Sequence, residues 1–215
     1  PLITYGPDDK PQPQKLDILF IHAHPDDESL DYGLYMSEAA DNGMAIGLII
    51  LTDGDSGFDK YPDRPVDGFY KDSYLSGQSL AEVRVQEAGN ALSVLGANIY
   101  IRMGLWNRPY TSEEVSKSVD TLIYEWGGEE LLVDTLVNYM ELFKPDIIVS
   151  RDGISNAREH FEHEASGYLS NLAVNLYKKR NPEVLKAYLK LVDVQQTEAY
   201  EGISLLYIDA ANEAK

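Results

Sequence analysis

The sequence predicts an α/β fold, a mostly parallel sheet with helices on both faces. Two observations predict it. Apolar runs of strand length recur along the chain, and amphipathic segments of helical period separate them. A chain of 215 residues with 44% hydrophobic content can bury a sizeable core.

Taken in order, residues 1–14 carry four prolines and little apolar content, and read as an extended arm. Residues 15–215 read as one domain, without internal repeat or linker. Its first strand is Leu16–Ala23 (LDILFIHA). A helical pattern covers about Leu30–Asn42, with Gly43 in position to end it. The second strand, Ala45–Leu51 (AIGLIIL), runs out into Thr52-Asp53-Gly54. The next helix spans about Leu80–Leu95, with Leu80, Val83, Leu92 and Leu95 at helical spacing, and stops at Gly96. Asn98–Arg102 is a third strand. Glu129–Phe143 is an amphipathic helix that must end before Pro145. Asp146–Ser150 is a fourth strand, a helix follows over about Glu162–Lys179, and Leu205–Ile208 is the last strand expected. The pattern is Rossmann-like. In such sheets ligands bind beyond the carboxyl ends of the strands, so the residues that follow each strand are the ones to inspect.

Composition narrows the function. Acidic residues outnumber basic ones 36 to 18, for a formal charge of −18. That field repels phosphate backbones and anionic surfaces, so nucleic acid is not an expected partner. No apolar run reaches the roughly 20 residues that span a bilayer. Cysteine is absent, which excludes disulfides, thiolate metal sites and cysteine nucleophiles. Any metal must be held by His, Asp or Glu. The chain begins at Pro1 rather than Met, so a native N-terminus is expected upstream; the compartment, cytoplasmic or exported, is left open.

The first strand leads into His24-Pro25-Asp26-Asp27-Glu28. A dinucleotide site would need a glycine-rich turn here, so a nucleotide-binding oxidoreductase is disfavoured. An N-cap by Asp26 or Asp27 is the plain alternative, but a cap needs one carboxylate rather than a histidine with three. After the fourth strand come Arg158-Glu159-His160-Phe161-Glu162-His163-Glu164. On a helix His160 and His163 share a face. Of four histidines, three (His24, His160, His163) fall at strand ends, and His22, within the strand, reads as a packed histidine. Catalytic zinc takes three protein ligands and leaves a position for water. His24, Asp27 and one histidine of the second pair would make such a set. One carboxylate and one imidazole then remain, enough to take a proton from water and to stabilise an oxyanion or protonate a leaving amine.

HAHPDDES followed by HFEH resembles the LmbE-like, or PIG-L, family of zinc de-N-acetylases, over residues 16 to about 170. Thr52-Asp53-Gly54 and LAEVRVQEAGNALSVLGA are supporting matches. The resemblance implies a hydrolase that removes an N-acyl group, acetyl, from a small N-acetylated amino-sugar substrate. It implies His24, Asp27 and His163 as Zn2+ ligands, Asp26 as general base and His160 as the electrophilic or acid group. N/O ligands do not select zinc strongly, so another divalent ion such as Fe2+ would fit them. Arg84 falls where the family places a substrate-contacting arginine; a surface ion pair with a helix neighbour is the alternative. Two departures stand out. Phe161 replaces the family's proline in HPDH, and Asn107 stands where the family often has Asp. Two other functions share these residues: a zinc amidase acting on a different amide conjugate, and a noncatalytic sugar-binding relative. Residues 55–78, with Phe58, Tyr61, Phe69, Tyr70 and Tyr74, form a long segment that either overhangs the site, offering aromatic faces to a sugar, or packs on itself.

Overall fold

A computed structural model describes residues 1–57, 75–108, 119–152 and 161–191, with the backbone of 65–66 and 69–70. Its centre is strand β2 (Ile18–His22), whose five residues are all buried. On one side β2 pairs with β3 (Ile46–Thr52), β3 with β6 (Ile99–Leu105), and β6 with β1 (Ile3–Tyr5). On the other it pairs with β7 (Ile147–Arg151) and β7 with β8 (Ala187–Leu191). Every one of these pairings is parallel. The expected sheet is therefore observed. A two-residue hairpin, β4 (Pro65–Val66) with β5 (Phe69–Tyr70), lies apart from it.

Parallel strands need crossovers, and helices supply them. Between β2 and β3 lie α1 (Asp27–Leu30) and α2 (Gly33–Asp41); α3 (Gln78–Val94) precedes β6; α4 (Val119–Glu125) and α5 (Glu129–Phe143) precede β7; α6 (Phe161–Arg180) precedes β8. Alternate strand residues face opposite layers. Leu19, Ile21, Ile49, Leu51, Ile99 and Ile101 pack with α4, α5 and α6. Ile18, Phe20, Ile46, Leu48 and Ile50 pack with Met36 and Ala39 of α2 and Ala88 and Leu92 of α3. Because both faces are covered, the central strands read as unbroken apolar runs rather than alternating ones.

The long elements fall where the sequence places them. The helix ending before Pro145 is α5, closed by Lys144 in the left-handed region (φ 45°, ψ 53°), whose N–H bonds to the Met140 carbonyl. The arm contains a short edge strand, β1, because Ile3 to Tyr5 find backbone partners on β6. Neither α4 nor β8 was expected from the sequence. Leu205–Ile208 lies outside the described residues, as does most of the 55–78 segment. Among the described residues no helix is long and apolar enough to cross a membrane.

The order of strands reverses between β2 and β7, since the chain leaves β2 toward β3 and returns on β2's other side as β7. That is the topological switch point, where the connections diverge and open a crevice at the carboxyl ends. His24 and Asp27 follow β2, and His163 follows β7.

Candidate active site

Strand β2 ends at His22, which is fully buried and stacked on Tyr32 with ring centroids 5.6 Å apart. Its Nδ1 lies 3.6 Å from Asp27 Oδ2. Burial pushes its pKa down to about 4, so it is a neutral packed ring. Past it, the Ala23 carbonyl accepts hydrogen bonds from both the backbone N–H and the hydroxyl of Thr52, each 3.0 Å, tying the ends of β2 and β3 together.

The turn that follows brings three ligand-type side chains together. His24 Nδ1 lies 2.9 Å from His163 Nε2, Asp27 Oδ1 lies 3.3 Å from the same nitrogen, and His24 Nδ1 lies 3.7 Å from Asp27 Oδ2. All three side chains are buried. Two bonds of ~2.1 Å at a tetrahedral angle would separate ligand atoms by about 3.4 Å. The two distances to His163 Nε2, 2.9 and 3.3 Å, lie near that value, and one ligand atom from each residue lies within 4.8 Å of the others, so the donor set fits a small divalent ion. Asp27 Oδ2 accepts the His24 backbone N–H at 3.0 Å, while Oδ1 faces His163 Nε2.

Electrostatics suit a cation. Burial alone would raise the Asp27 carboxyl, but the hydrogen bond with His163 and the charges of His163, His24 and His22 outweigh it and hold Asp27 well below the carboxylate range. Burial opposes a proton on His24, yet the hydrogen bond to Glu162 and the charges of Asp27, Glu162 and Asp26 prevail and raise its pKa. A proton and a metal ion therefore compete for this ring.

Glu162 has no role on the sequence pattern alone, yet the fold places it against His24. The carboxylate is fully buried and accepts a hydrogen bond from His24 Nε2. It also accepts from Asn107 Nδ2 at 2.6 Å and from the Arg108 backbone N–H at 2.7 Å. Such a carboxylate sets the tautomer of a ligating histidine, with Nε2 protonated and Nδ1 left without a proton. The one signal available was an acid beside a ligand-type histidine. Asn107 links this carboxylate to the β3 loop: its Oδ1 accepts the Ser56 N–H at 3.0 Å, and its own N–H reaches Asp55 Oδ1 at 3.0 Å. The departure at 107 thus has a physical reason, because an amide can donate to Glu162 and a carboxylate cannot.

Asp26 sits at the N-cap position of α1 but makes no side-chain cap bond. Its backbone has φ 125° and ψ −28°, a region non-glycine residues avoid at a cost of roughly 1–3 kcal/mol. Its carboxylate is half exposed and meets Arg84 Nη2 at 3.0 Å. Lost hydration and the Asp27 charge raise its pKa against the opposing charges of Arg84 and the histidines. Among the described residues Arg84 pairs with Asp26 rather than with a helix neighbour; it also bonds to the Pro25 carbonyl and, through Nη1 at 3.3 Å, to that of Gly54. His160 lies outside the described residues.

The sequence model of the family described as PIG-L, GlcNAc-PI de-N-acetylase, matches residues 19–174, which include every residue of this site. The chain belongs to the PIG-L family. Among curated PIG-L relatives, the 1D-myo-inositol 2-acetamido-2-deoxy-alpha-D-glucopyranoside deacetylase 3 of Catenulispora acidiphila is 29% identical over 166 residues. The match takes in 74% of this chain and 45% of that protein. The chain thus spans about half the length of such relatives. Two solved structures share the fold. The N,N'-diacetylchitobiose deacetylase of Pyrococcus horikoshii has a TM-score of 0.51 at 20% identity, covering 79% of this chain and 52% of that one. GalB, the 4-carboxy-2-hydroxymuconate hydratase of Pseudomonas putida KT2440, has a TM-score of 0.55 at 16% identity, covering 80% and 62%. The deacetylase and the hydratase carry one fold between two reactions, so the reaction must be argued from the site.

Proposed function

We propose that the chain is a zinc-dependent hydrolase that removes the N-acetyl group of an amino sugar or amino-sugar conjugate. The observation that carries this reading is the buried His24, Asp27 and His163 set with the half-exposed Asp26 carboxylate close enough to feel their charges. PIG-L membership and the names of its curated relatives, deacetylases of 2-acetamido-2-deoxy sugars, support the substrate class.

His24 Nδ1, Asp27 Oδ1 and His163 Nε2 are the atoms that would hold the ion. A divalent ion there supplies Lewis acidity, polarising a carbonyl and acidifying water. Asp26, outside that set, accepts the proton of the attacking water, and its raised pKa makes it the stronger base. The water oxygen adds to the acetyl carbonyl, the C–N bond breaks, and His160 protonates the departing nitrogen. Acetate and a free amine result. Glu162 keeps the His24 ring in the binding tautomer throughout.

Metal analysis of the purified protein, followed by amine release from a panel of N-acetylated sugars, tests the reading. Zinc content beside kcat then assigns the residues. Asp27→Ala and His163→Ala should lose metal and activity together. Asp26→Asn and His160→Ala should keep metal and lose activity by about 10²–10⁴-fold. A metal-replete protein that releases amine from no N-acetylated sugar would refute the substrate class. If Asp26→Asn emptied the site while Asp27→Ala kept its metal, the two roles would be exchanged.

A further inference from the structure

The peptide unit between Pro25 and Asp26 is gripped from both edges. Its carbonyl accepts a hydrogen bond from Arg84 Nη2, and its N–H donates to Glu28 Oε2 at 2.9 Å. Arg84 Nη2 also holds the Asp26 carboxylate at 3.0 Å. Glu28 is itself buried and fixed by the Ser29 hydroxyl at 3.0 Å. This peptide enters the one residue of the turn with strongly positive φ, so the grip acts on the torsion that decides where the Asp26 side chain points.

The room for the guanidinium is made by two glycines. A Cβ at Gly54 would lie 2.4 Å from Arg84 Nη1 and 2.9 Å from Cζ, and one at Gly57 would lie 2.8 Å from Nη1. Arg84 is anchored on three protein acceptors on two different loops, and its side chain is 19% exposed.

We infer that Arg84, seated between Gly54 and Gly57 and acting with Glu28, is a positioning residue that holds the strained Pro25–Asp26 turn and aims the Asp26 carboxylate at the reacting water. The inference rests on Asp26 being the base. Arg84 acts through that carboxylate, so its loss appears in turnover. A planar fork is needed to bridge a carbonyl and a carboxylate, and lysine, a point charge, does not replace it.

A double-mutant cycle reads this directly. Arg84→Ala should lower kcat by about 10–100-fold, the scale of a misplaced catalytic group, with KM within about twofold and metal content unchanged. Arg84→Lys should not restore it. In the Asp26→Asn background, Arg84→Ala should cost less than about twofold more, because the group it aims is already gone. Glu28→Gln, which keeps an acceptor for the Asp26 N–H, should retain the turnover that Glu28→Ala loses. Gly57→Ala would place its Cβ 2.8 Å from Arg84 Nη1 and 3.3 Å from the Gly54 carbonyl oxygen, two groups of the same contact, and should give a smaller fall of the same kind. It decides the matter should Arg84→Ala unfold or lose metal, and wild-type turnover in it would then overturn the inference. A raised KM at unchanged kcat in Arg84→Ala would overturn it in favour of substrate contact, as would a full, additive loss in the Asp26→Asn background. Full activity of Asp26→Asn by itself would remove the base assignment, and this inference with it, before the cycle was built.

Discussion

Glu162 holds Nε2 of His24, and that contact leaves Nδ1 facing His163 Nε2 at 2.9 Å. On the proposed reading, Glu162 chooses the ring nitrogen that would bind the ion. Glu162→Gln should therefore keep the fold and weaken zinc affinity by about 10–100-fold, the usual cost of losing such a partner. Glu162→Ala should weaken it further, since the Asn107 amide and the Arg108 N–H would lose their acceptor. Competition with a chelator of known affinity measures both, and wild-type affinity in Glu162→Gln would show that the ring needs no such orientation.

Metal affinity should fall as the pH is lowered. The pKa of metal-free His24 is raised by its contacts with Glu162 and Asp27, so it takes up a proton before an ordinary histidine would. Below that raised pKa each unit of pH should weaken binding up to about tenfold, and loading the site should release protons. Calorimetric titration at two pH values in buffers of different ionisation heat reads both effects. Affinity that did not change with pH would mean the ring is already deprotonated in the free protein.

His22 should make the metal-free protein sensitive to acid in a defined window. The unfolded chain protonates this ring near pH 6.5, while the buried folded ring resists until about 4. Between those values the unfolded state binds more protons, so stability falls as pH falls, by up to about 3 kcal/mol in total. His24 acts in the opposite sense: with its folded pKa raised, its contribution is complete below 6.5. His22→Phe, which keeps a ring against Tyr32, should lose less stability from pH 6.5 to 4 than the wild type. Denaturant midpoints across that range give the difference, and parallel curves would refute the assignment.

Asn107→Asp should destabilise the protein at neutral pH by about 1–3 kcal/mol, because a donor 2.6 Å from Glu162 becomes a second carboxylate. One carboxyl of the new pair would have a raised pKa, so stability should recover as pH falls and a shared proton appears. Thermal unfolding at two pH values tests this; equal losses at both would point to packing rather than charge.

Much of the scaffold was legible before folding. Burial on both faces turns β2 and β3 into unbroken apolar runs, and Pro145 stops α5 after Phe143 as expected. The elements that escaped, β1, α4 and β8, are seven residues or fewer and lack a strong apolar period, so pairing and packing with distant segments define them.

The site divides along the same line. From the sequence alone came the positions of His24, Asp27 and His163 at strand ends, because an α/β sheet delivers whatever follows its strands to one edge. The exclusion of thiolate chemistry also came from the sequence, since composition needs no coordinates. The role of Glu162 was hidden, because what makes it matter, Asn107 and the Arg108 N–H, lies 55 and 54 residues away in the chain. Arg84 was visible as a charge, but its partners, Gly54 and the Pro25–Asp26 turn, are 30 to 59 residues distant. Ligand types are a property of residues and their place along a strand. Which nitrogen is turned to His163 and which carboxylate Arg84 holds depend on hydrogen bonds between separate loops, and only the packed sheet brings those loops together.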